Sequence, residues 1–246
     1  MTIVETASTA IATRRRNKLH EWATRFVAGA PRAVEDRSFS LQCGYLQLGT
    51  REGNDISPSW ESILYELDVG AKYVDLAGVG YHNDYDMLEV GNGKLTDEEE
   101  RSHFAIWCLA SSPLLAGNNL TAATPATIAI LTAPGPISVN QDALALQGRL
   151  CGNGTDSAGG VWQVWAKPLA DGATAALLLN RNTSAPVKVT IDFSACNVSH
   201  PHTDAEITDL WTSKSVDHAH SGSWSATISP HAHRFVKIMP SKILEL

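Results

Sequence analysis

The feature that most constrains the fold is a change of texture near the middle of the chain. Between residues 17 and 145, segments with apolar residues at helical spacing alternate with short strand-like runs. Such alternation predicts a parallel sheet whose strands are joined by helical crossovers. From about residue 146, strand-like runs are separated by Gly, Pro, Asn and Ser turns, which is typical of an antiparallel sandwich. We therefore expect an α/β domain over residues 1–147 followed by an all-β domain over residues 148–246.

Local patterns predict the individual elements. Four segments carry apolar residues at helical spacing, and they begin at residue 17, at Pro58 behind Ser57, at Thr96 and at residue 124. Glu99 completes a capping box with Thr96. Strands are predicted at 38–43, 72–77 and 114–117 in the first part, and in the second part for VWQVWAKP, TAALLLNR, VKVTIDF, AEITDLW, WSATIS and HRFVKIM.

The stretch DLAGVGYHNDYDMLEVGNG, residues 75–93, follows a predicted strand and concentrates acids, glycines and asparagines. In parallel α/β architectures, ligands bind where the strands end, so this loop is a candidate site. Aspartates in such loops more often bond local backbone amides. On this pattern alone, Asp84 and Asp86 are therefore either site residues or structural ones.

Asp55 is the first candidate for acid–base chemistry. It lies in a Gly-Asn loop directly before a predicted helix, with Arg51 four residues earlier. Aspartate is common at helix starts, so its position alone favours a helix-capping role.

Composition excludes several classes of function. The net charge of -7 argues against nucleic acid and against an anionic membrane as partners, because both need a basic face. We find no apolar run of transmembrane length. The four cysteines fit no zinc spacing, and three His-x-His pairs lack a matching ligand framework, so we expect solvated histidines. No metal and no cofactor are expected.

The cysteines and the sequons bear on the compartment. Cys108 is expected to be a buried free thiol, whereas Cys151 and Cys196 could pair. Four N-x-[ST] sequons indicate a secreted glycoprotein; they begin at Asn119, Asn153, Asn182 and Asn197. The first sixteen residues have no apolar signal core, and one explanation is that the natural N-terminus lies further upstream.

Four ordered motifs resemble glycoside hydrolase family 27, the α-galactosidase family. YHNDYDMLEVGNG is similar to the family's W-N-D-P-D-M-L-E-V-G-N-G, and REGNDI to W-R-x-x-x-D-I. RSHFAIWCLASSPLLAGNNL resembles the following helix and the last barrel strand, and ISVNQDALALQGR resembles V-I-A-V-N-Q-D-x-L-x-x-Q-G. The resemblance runs from about residue 40 to the C-terminus.

The resemblance implies a (β/α)8 TIM barrel, of which this chain holds about strands 5–8, and a C-terminal antiparallel β-sandwich domain. It also implies a retaining mechanism with two aspartates. The REGNDI match puts Asp55 at the acid/base position and Arg51 at the arginine that binds sugar hydroxyls. Cys43 and Tyr45 fall on a substrate-binding segment. The pocket wall would be supported by Asn83, Asp84 and Asp86.

The chain also departs from the family pattern. No Y-x-K-x-D-x-C segment, which carries the family's nucleophile, occurs in the 246 residues. Cys43-Gly44-Tyr45 stands where the family has C-E-W, and Thr50 replaces the tryptophan before the arginine. His82 and Tyr85 replace the Trp and Pro of W-N-D-P-D. These departures leave the sugar specificity open.

We therefore expect an α-galactosidase-like retaining glycoside hydrolase that releases terminal α-linked galactose. As a fragment without the nucleophile-bearing half, it would be inactive alone. A partner chain or oligomer would cover its exposed barrel edge, and the family and the sequons point to secretion. Two alternatives stay open: a catalytically dead relative that binds carbohydrate or a partner, and a related specificity such as α-N-acetylgalactosaminidase.

Overall fold

A computed structural model describes residues 37–42, 45–50, 55–155, 159–202, 204–220 and 222–241. The helix predicted from residue 17 lies outside these ranges, as do Cys43 and Arg51. Strands β1 (Arg37–Gln42) and β2 (Tyr45–Thr50) form a two-stranded sheet, and β1 corresponds to the strand predicted at 38–43.

Four α-helices follow among the described residues: α1 (Trp60–Gly70), α2 (Asp97–Ala110), α3 (Pro125–Leu131) and α4 (Pro134–Asn140). The capping box predicted for α2 is confirmed: Thr96 Oγ1 accepts a hydrogen bond from Glu99 N, and Glu99 Oε2 accepts one from Thr96 N at 2.7 Å. Two orphan amides of the first turn are thereby satisfied, which fixes where α2 begins.

Three expectations about the helical region needed correction. The N-cap of α1 is Ser59, whose side chain accepts from Ser62 N, so Pro58 precedes the helix instead of starting it. The strand predicted at 72–77 is a 3-10 helix (Ala71–Leu76) that continues directly from α1 and buries none of its residues. Helix α4 was not predicted, because its two prolines resemble turn signals. The first of them occupies the opening position of the helix, where proline is tolerated.

The strand predicted at 114–117 was also wrong in extent. The segment makes only one parallel bridge, between Leu88 and Ala116. Leu88 N donates to Leu115 O at 2.7 Å, and Gly117 N donates to Leu88 O at 3.0 Å. These two bonds hold the stretch 75–93 against the segment that follows α2. A second 3-10 helix (Leu120–Ala122) comes next.

The second part of the chain is antiparallel, as predicted. The six predicted strands are confirmed, and two more are found. A six-stranded sheet has the order β3-β4-β5-β10-β7-β8, and β6 pairs with β9 in a sheet of two strands. The bounds are β3 (Arg149–Thr155), β4 (Val161–Pro168), β5 (Thr174–Asn180), β6 (Val187–Asp192), β7 (Ala205–Asp209), β8 (Lys214–Ala219), β9 (Ser223–Ile228) and β10 (His233–Pro240).

The two strands that sequence reasoning missed have weak patterns. The sequence of β3, RLCGNGT, contains two glycines and resembles a linker. All of β8 except its last residue is exposed, so it lacks the alternation of a half-buried strand. Both are edge strands of the six-stranded sheet, where burial constrains the sequence least.

The core lies on both faces of the six-stranded sheet. Successive side chains of a strand point to opposite faces, so Leu177 and Leu179 of β5 pack with the helices while Leu178 packs with β6 and β9. All seven residues of β5 are buried, as expected for a strand covered on both sides. From Phe39 onward the chain forms one compact unit, with helices, large sheet and small sheet as successive layers.

A disulfide joins Cys151 of β3 to Cys196 beyond β6, 45 residues apart in sequence. The hypothesis that these two cysteines pair is therefore confirmed. Cys108 is a buried free thiol, as predicted. Closing a loop of this length stabilises a fold by about 2–4 kcal/mol, because the crosslink restricts the unfolded chain.

The histidines of the third His-x-His pair are not solvated, contrary to prediction. His233 is 6% exposed, and its Nε2 accepts from Trp211 Nε1 at 2.8 Å. Ser102 Oγ donates its single proton to the carbonyl of His231, so His233 Nδ1 must donate to Ser102 Oγ. Within the described ranges, no cluster of three His, Cys, Asp or Glu could hold a metal ion, and no helix is long and apolar enough to cross a membrane.

We predict that Gly135→Ala destabilises the protein by about 1–3 kcal/mol. A methyl group at Gly135 in α4 would lie 1.8 Å from the backbone oxygen of Leu210, so the helix would have to move away from the sheet. Urea unfolding of both proteins measures the difference. Gly78→Ala is the control, since nothing lies within 4 Å of the added methyl there. Equal stability losses in the two variants would contradict this packing.

Candidate functional site

Asp86 organises the acidic stretch 75–93. Its backbone is left-handed, with a φ of 72°, a conformation that aspartate tolerates better than most residues. Its Oδ1 accepts from Met87 N at 2.7 Å, its Oδ2 from Ile56 N at 2.9 Å, and its carbonyl from Trp107 Nε1 at 2.8 Å. Asp84 Oδ1 accepts from Asp86 N at 2.9 Å. Asp86 therefore fixes its own loop, α2 and the chain beside Asp55.

The structure brings together four of the seven residues singled out in the sequence. Asp55 is exposed, and its neighbour Ile56 is bound to Asp86 across 30 residues of chain. Asp84 and Asn83 belong to the same loop as Asp86. Arg51 and Cys43 lie outside the described residues, and Tyr45 is described only as the first residue of β2.

Asn83 supports the loop from below. It is 4% exposed, and its Nδ2 donates to Tyr73 O at 2.8 Å and to Gln147 Oε1 at 2.7 Å. Gln147 Nε2 in turn donates to Gly70 O and to the hydroxyl of Tyr85, both at 2.9 Å. The segment before β3 is thereby joined to the loop and to the end of α1. Sequence reasoning had given Gln147 no role, although its motif had been recognised.

Tyr85 fills the space between the loop and α1. Its side chain is buried, and its amide donates to Ser112 Oγ at 2.9 Å. Its ring meets Trp107 edge-on, with centroids 5.4 Å apart. A methyl group at Gly70 would lie 2.2 Å from the ring, so only glycine at that position admits this tyrosine. The replacement of the family's proline by Tyr85 is thus matched by a glycine in the facing helix.

Burial and like charge shape the electrostatics behind the loop. Glu66 of α1 is 8% exposed. Burial, then the charges of Asp86 and Asp84, raise its pKa to about 7. Burial also raises the pKa of Asp84, against the opposing bond from Asp86 N. Glu66 was missed in the sequence because an acid in a helix is usually solvated. Its helical spacing from Ile63, Leu67 and Gly70, which share the buried face of α1, could have indicated that it is buried.

His103 of α2 supports the far end of the loop. It is fully buried, and its Nε2 accepts from Glu89 N at 2.9 Å. Its ring contacts Trp107 edge-on at 4.0 Å. Burial lowers the pKa of His103 to about 3. The ring is therefore neutral at physiological pH, and its bare nitrogen remains an acceptor.

A cleft of about 400 Å³ opens beside the loop at His82, Ser111 and Asp142, a size suited to small ligands. Lys167 of β4 is 2% exposed and donates to Ser111 Oγ at 2.6 Å. Burial lowers the pKa of Lys167 to about 8. The lysine lies at the C-terminal end of α2, where a cation is favoured by the helix dipole, so its contacts indicate a structural role.

Comparison with known families shows to which family the chain belongs. Residues 19–142 match the family model described as alpha galactosidase A, and residues 159–238 match the alpha galactosidase C-terminal beta sandwich domain. The chain belongs to glycoside hydrolase family 27. The resemblance given by the four motifs is confirmed, and with it the family fold of a TIM barrel followed by a C-terminal β domain.

Individual family members agree. The chain is 36% identical to a probable alpha-galactosidase of Dictyostelium discoideum, over 76% of this chain and 48% of that protein. It is 38% identical to an alpha-galactosidase of Cyamopsis tetragonoloba, over 77% of this chain and 44% of that protein. Alpha-galactosidase I from Mortierella vinacea superposes with a TM-score of 0.64 and 28% identity, covering 86% of this chain and 50% of its own. The chain thus spans about half the length of these relatives.

We predict that His103 contributes to loss of stability in acid. Its pKa is lower in the folded protein than in the unfolded chain, so unfolding takes up a proton between pH 6.5 and about 3. Within this range the free energy of unfolding therefore decreases by about 1.4 kcal/mol for each unit by which the pH falls. We expect His103→Gln to flatten the pH dependence of the unfolding free energy by about that slope, measured by urea denaturation from pH 7 to pH 4.

His218→Gln is the control, because His218 lies exposed on β8. The starting stability of His103→Gln will be lower, since the bond to Glu89 N is disturbed, so the slope with pH is the readout. An unchanged slope would show that His103 does not titrate in this way.

Proposed function

We propose that this chain is part of an α-galactosidase, a retaining glycoside hydrolase that releases terminal α-linked galactose from oligosaccharides or glycoconjugates. One observation carries the proposal. Asp86 Oδ2 binds Ile56 N at 2.9 Å, and this bond holds the acidic loop against the backbone next to Asp55. Two of the four motifs that carry the family resemblance, REGNDI and YHNDYDMLEVGNG, therefore contribute to one location.

In the proposed mechanism, Asp55 is the general acid and base. A nucleophilic carboxylate attacks the anomeric carbon and forms a glycosyl ester, while Asp55 donates its proton to the departing oxygen. Asp55 then takes a proton from water, whose oxygen bonds to the anomeric carbon while the bond from that carbon to the nucleophilic carboxylate breaks, which releases the sugar. The two carboxyl groups need to stand about 5–5.5 Å apart. The family's nucleophile segment does not occur in the 246 residues, so it has to come from additional polypeptide.

The other candidate residues bind or support. Arg51, Cys43 and Tyr45 contact the sugar in this proposal. The pocket wall is held by Asn83, Asp84 and Asp86. These side chains are bonded to backbone amides, to a backbone carbonyl and to Gln147. Their proposed role as structural support rests on these bonds.

The proposed organisation is a partial barrel of about strands 5–8 over residues 1–147 and a β domain over residues 148–246. The start of β3 at Arg149 supports this boundary. Several large apolar side chains of the first part are exposed, which is typical of a surface that another polypeptide covers. The most exposed near the acidic loop are Val79, Leu115 and Leu76. We propose that further barrel strands, in a longer chain or a partner chain, cover this edge.

We further propose that the protein is secreted and glycosylated. Three of the four sequon asparagines are exposed: Asn119, Asn153 and Asn197. The disulfide fits the same interpretation, because structural disulfides persist in oxidising compartments.

A second candidate function is a family member with changed specificity or without catalysis. The observation that favours it is the departure around the fifth-strand motif, where Gly44 replaces the family's glutamate and Thr50 its tryptophan. A missing sugar contact there would suit a related substrate such as an α-N-acetylgalactosaminide, or would leave a protein that binds carbohydrate without cleaving it.

We predict that the isolated chain does not hydrolyse an aryl α-galactoside. Fusion to the N-terminal part of the Cyamopsis tetragonoloba enzyme, up to the start of the matched region, should produce turnover. Asp55→Asn in the fusion should lower kcat by about 10²–10⁴-fold, as expected for loss of a general acid. Release of the chromogenic aglycone measures all three proteins.

Asp97→Asn is the matched control, because Asp97 is an exposed acid at the start of α2. Full activity of Asp55→Asn in an active fusion would remove Asp55 from the mechanism. A folded but inactive fusion that still binds galactose would favour the non-catalytic alternative.

A further inference from the structure

Glu66 places a carboxyl group behind the candidate site, where the proposed mechanism does not use it. It lies on the buried face of α1, one helical turn from Ile63 and from Gly70. Its Oε1 is inaccessible to solvent and has no hydrogen-bond partner within the described part of the chain. A buried acceptor without a donor is unfavourable, and an ionised one far more so. Burial therefore favours the protonated, neutral form of this carboxyl group.

The groups that face Glu66 supply negative charge. Asp86 and Asp84 act on it from the loop, and both oxygens of Asp86 already accept backbone amides. Tyr85 lies between the loop and α1, with a phenol bonded to Gln147 and a pKa raised by burial and by Glu66. Asp68, on the same helix, is bonded to Arg181. Among the described residues, the charged groups that shift the pKa of Glu66 are both acidic, Asp86 and Asp84.

We propose that Glu66 is a positioning residue of the candidate site: its proton allows three carboxyl groups to share one region, and loss of that proton loosens the bond between Asp86 and Ile56. The loop would then be held firmly in acid and released as the pH rises. The functional meaning of this switch rests on the proposed α-galactosidase role of Asp55, whereas the switch itself is a property of the folded chain.

The direction follows from linkage. The folded-state pKa of Glu66 is about 7 against 4.5 for a free glutamate, so opening of the loop releases a proton. The contribution of Glu66 is fully present below pH 4.5 and is lost as the pH rises towards 7. Burial is the largest cause of the raised pKa, and opening of the loop relieves only the part that comes from Asp86 and Asp84. The opening equilibrium therefore rises with pH within this window and levels off above pH 7.

Hydrogen exchange of the Ile56 and Met87 amides tests the proposal, because Asp86 accepts both. The opening equilibrium would be measured from pH 4.5 to pH 8, after correction for the intrinsic pH dependence of exchange. We expect it to rise with pH in the wild-type chain, by up to about tenfold in total, because opening relieves the charges of Asp86 and Asp84 while Glu66 stays on the buried face of its helix. The rise should be smaller in Glu66→Gln. Glutamine keeps the size of the side chain but has no titrating proton.

Glu61→Gln is the matched control, since Glu61 lies on the exposed side of the first turn of α1, and it should behave as wild type. Carbon-13 NMR of the Glu66 carboxyl group gives a second measurement that does not depend on the stability of any variant. A midpoint near 4.5 for Glu66, or equal pH dependence in wild type and Glu66→Gln, would overturn the proposal.

Neither measurement uses glycosidase activity, so the two proposals can fail separately. If the fusion enzyme is inactive while the amides follow the pH, the inference about Glu66 stands and the catalytic assignment falls. If the fusion is active while the opening equilibrium of the two amides does not change with pH, Asp55 keeps its role and Glu66 is only a buried acid.

Discussion

The described structure depends on the burial of β5 from both sides. One face of this strand carries Leu177 and Leu179 into the helical layer, and the other carries Leu178 into the sandwich core. A strand that is apolar on both faces needs two covering layers, because either face alone in water would forfeit about 25 cal/mol for each Å² of apolar surface. The helices that hold the candidate site are one of those layers. The site is therefore attached to the sandwich through shared apolar packing.

On that support, the acidic loop is organised by neutral donors. Amides of the loop and of Ile56, together with the indole of Trp107, satisfy Asp86, while neutral His103 accepts the amide of Glu89. No arginine or lysine supplies one of these bonds. Asp75, at the start of the stretch, pairs with Arg149. The bonds of Asp86 and Glu89 involve no ion pair, so their strength depends on which groups hold protons. The loop that carries a motif of the family is thus the same loop that these hydrogen bonds hold in place.

The structural features that could be predicted from the sequence are those that depend on local patterns. The capping box at Thr96 and the alternating strands could be read directly, since each depends on neighbours within a few residues. The segment 72–77 was misread as a strand because its pattern does not reveal that α1 continues into a 3-10 helix, Ala71–Leu76. Glu66, Tyr85 and Gln147 are brought together from positions up to 81 residues apart, and no spacing rule links them. Asp55 was identified by motif, and its role remains a prediction.

The packing of α2 against the turn before β10 has a consequence for how the molecule unfolds. Ser102 holds both the carbonyl of His231 and the ring of His233, and Phe235 of β10 lies in the same core as Phe104 of α2. A protease that cut the chain near residue 148 would not free a soluble sandwich, because the departing helices would uncover Leu177, Leu179 and Phe235 together. The two sequence regions thus behave as a single cooperative unit of unfolding, and severed halves would remain associated until both melt.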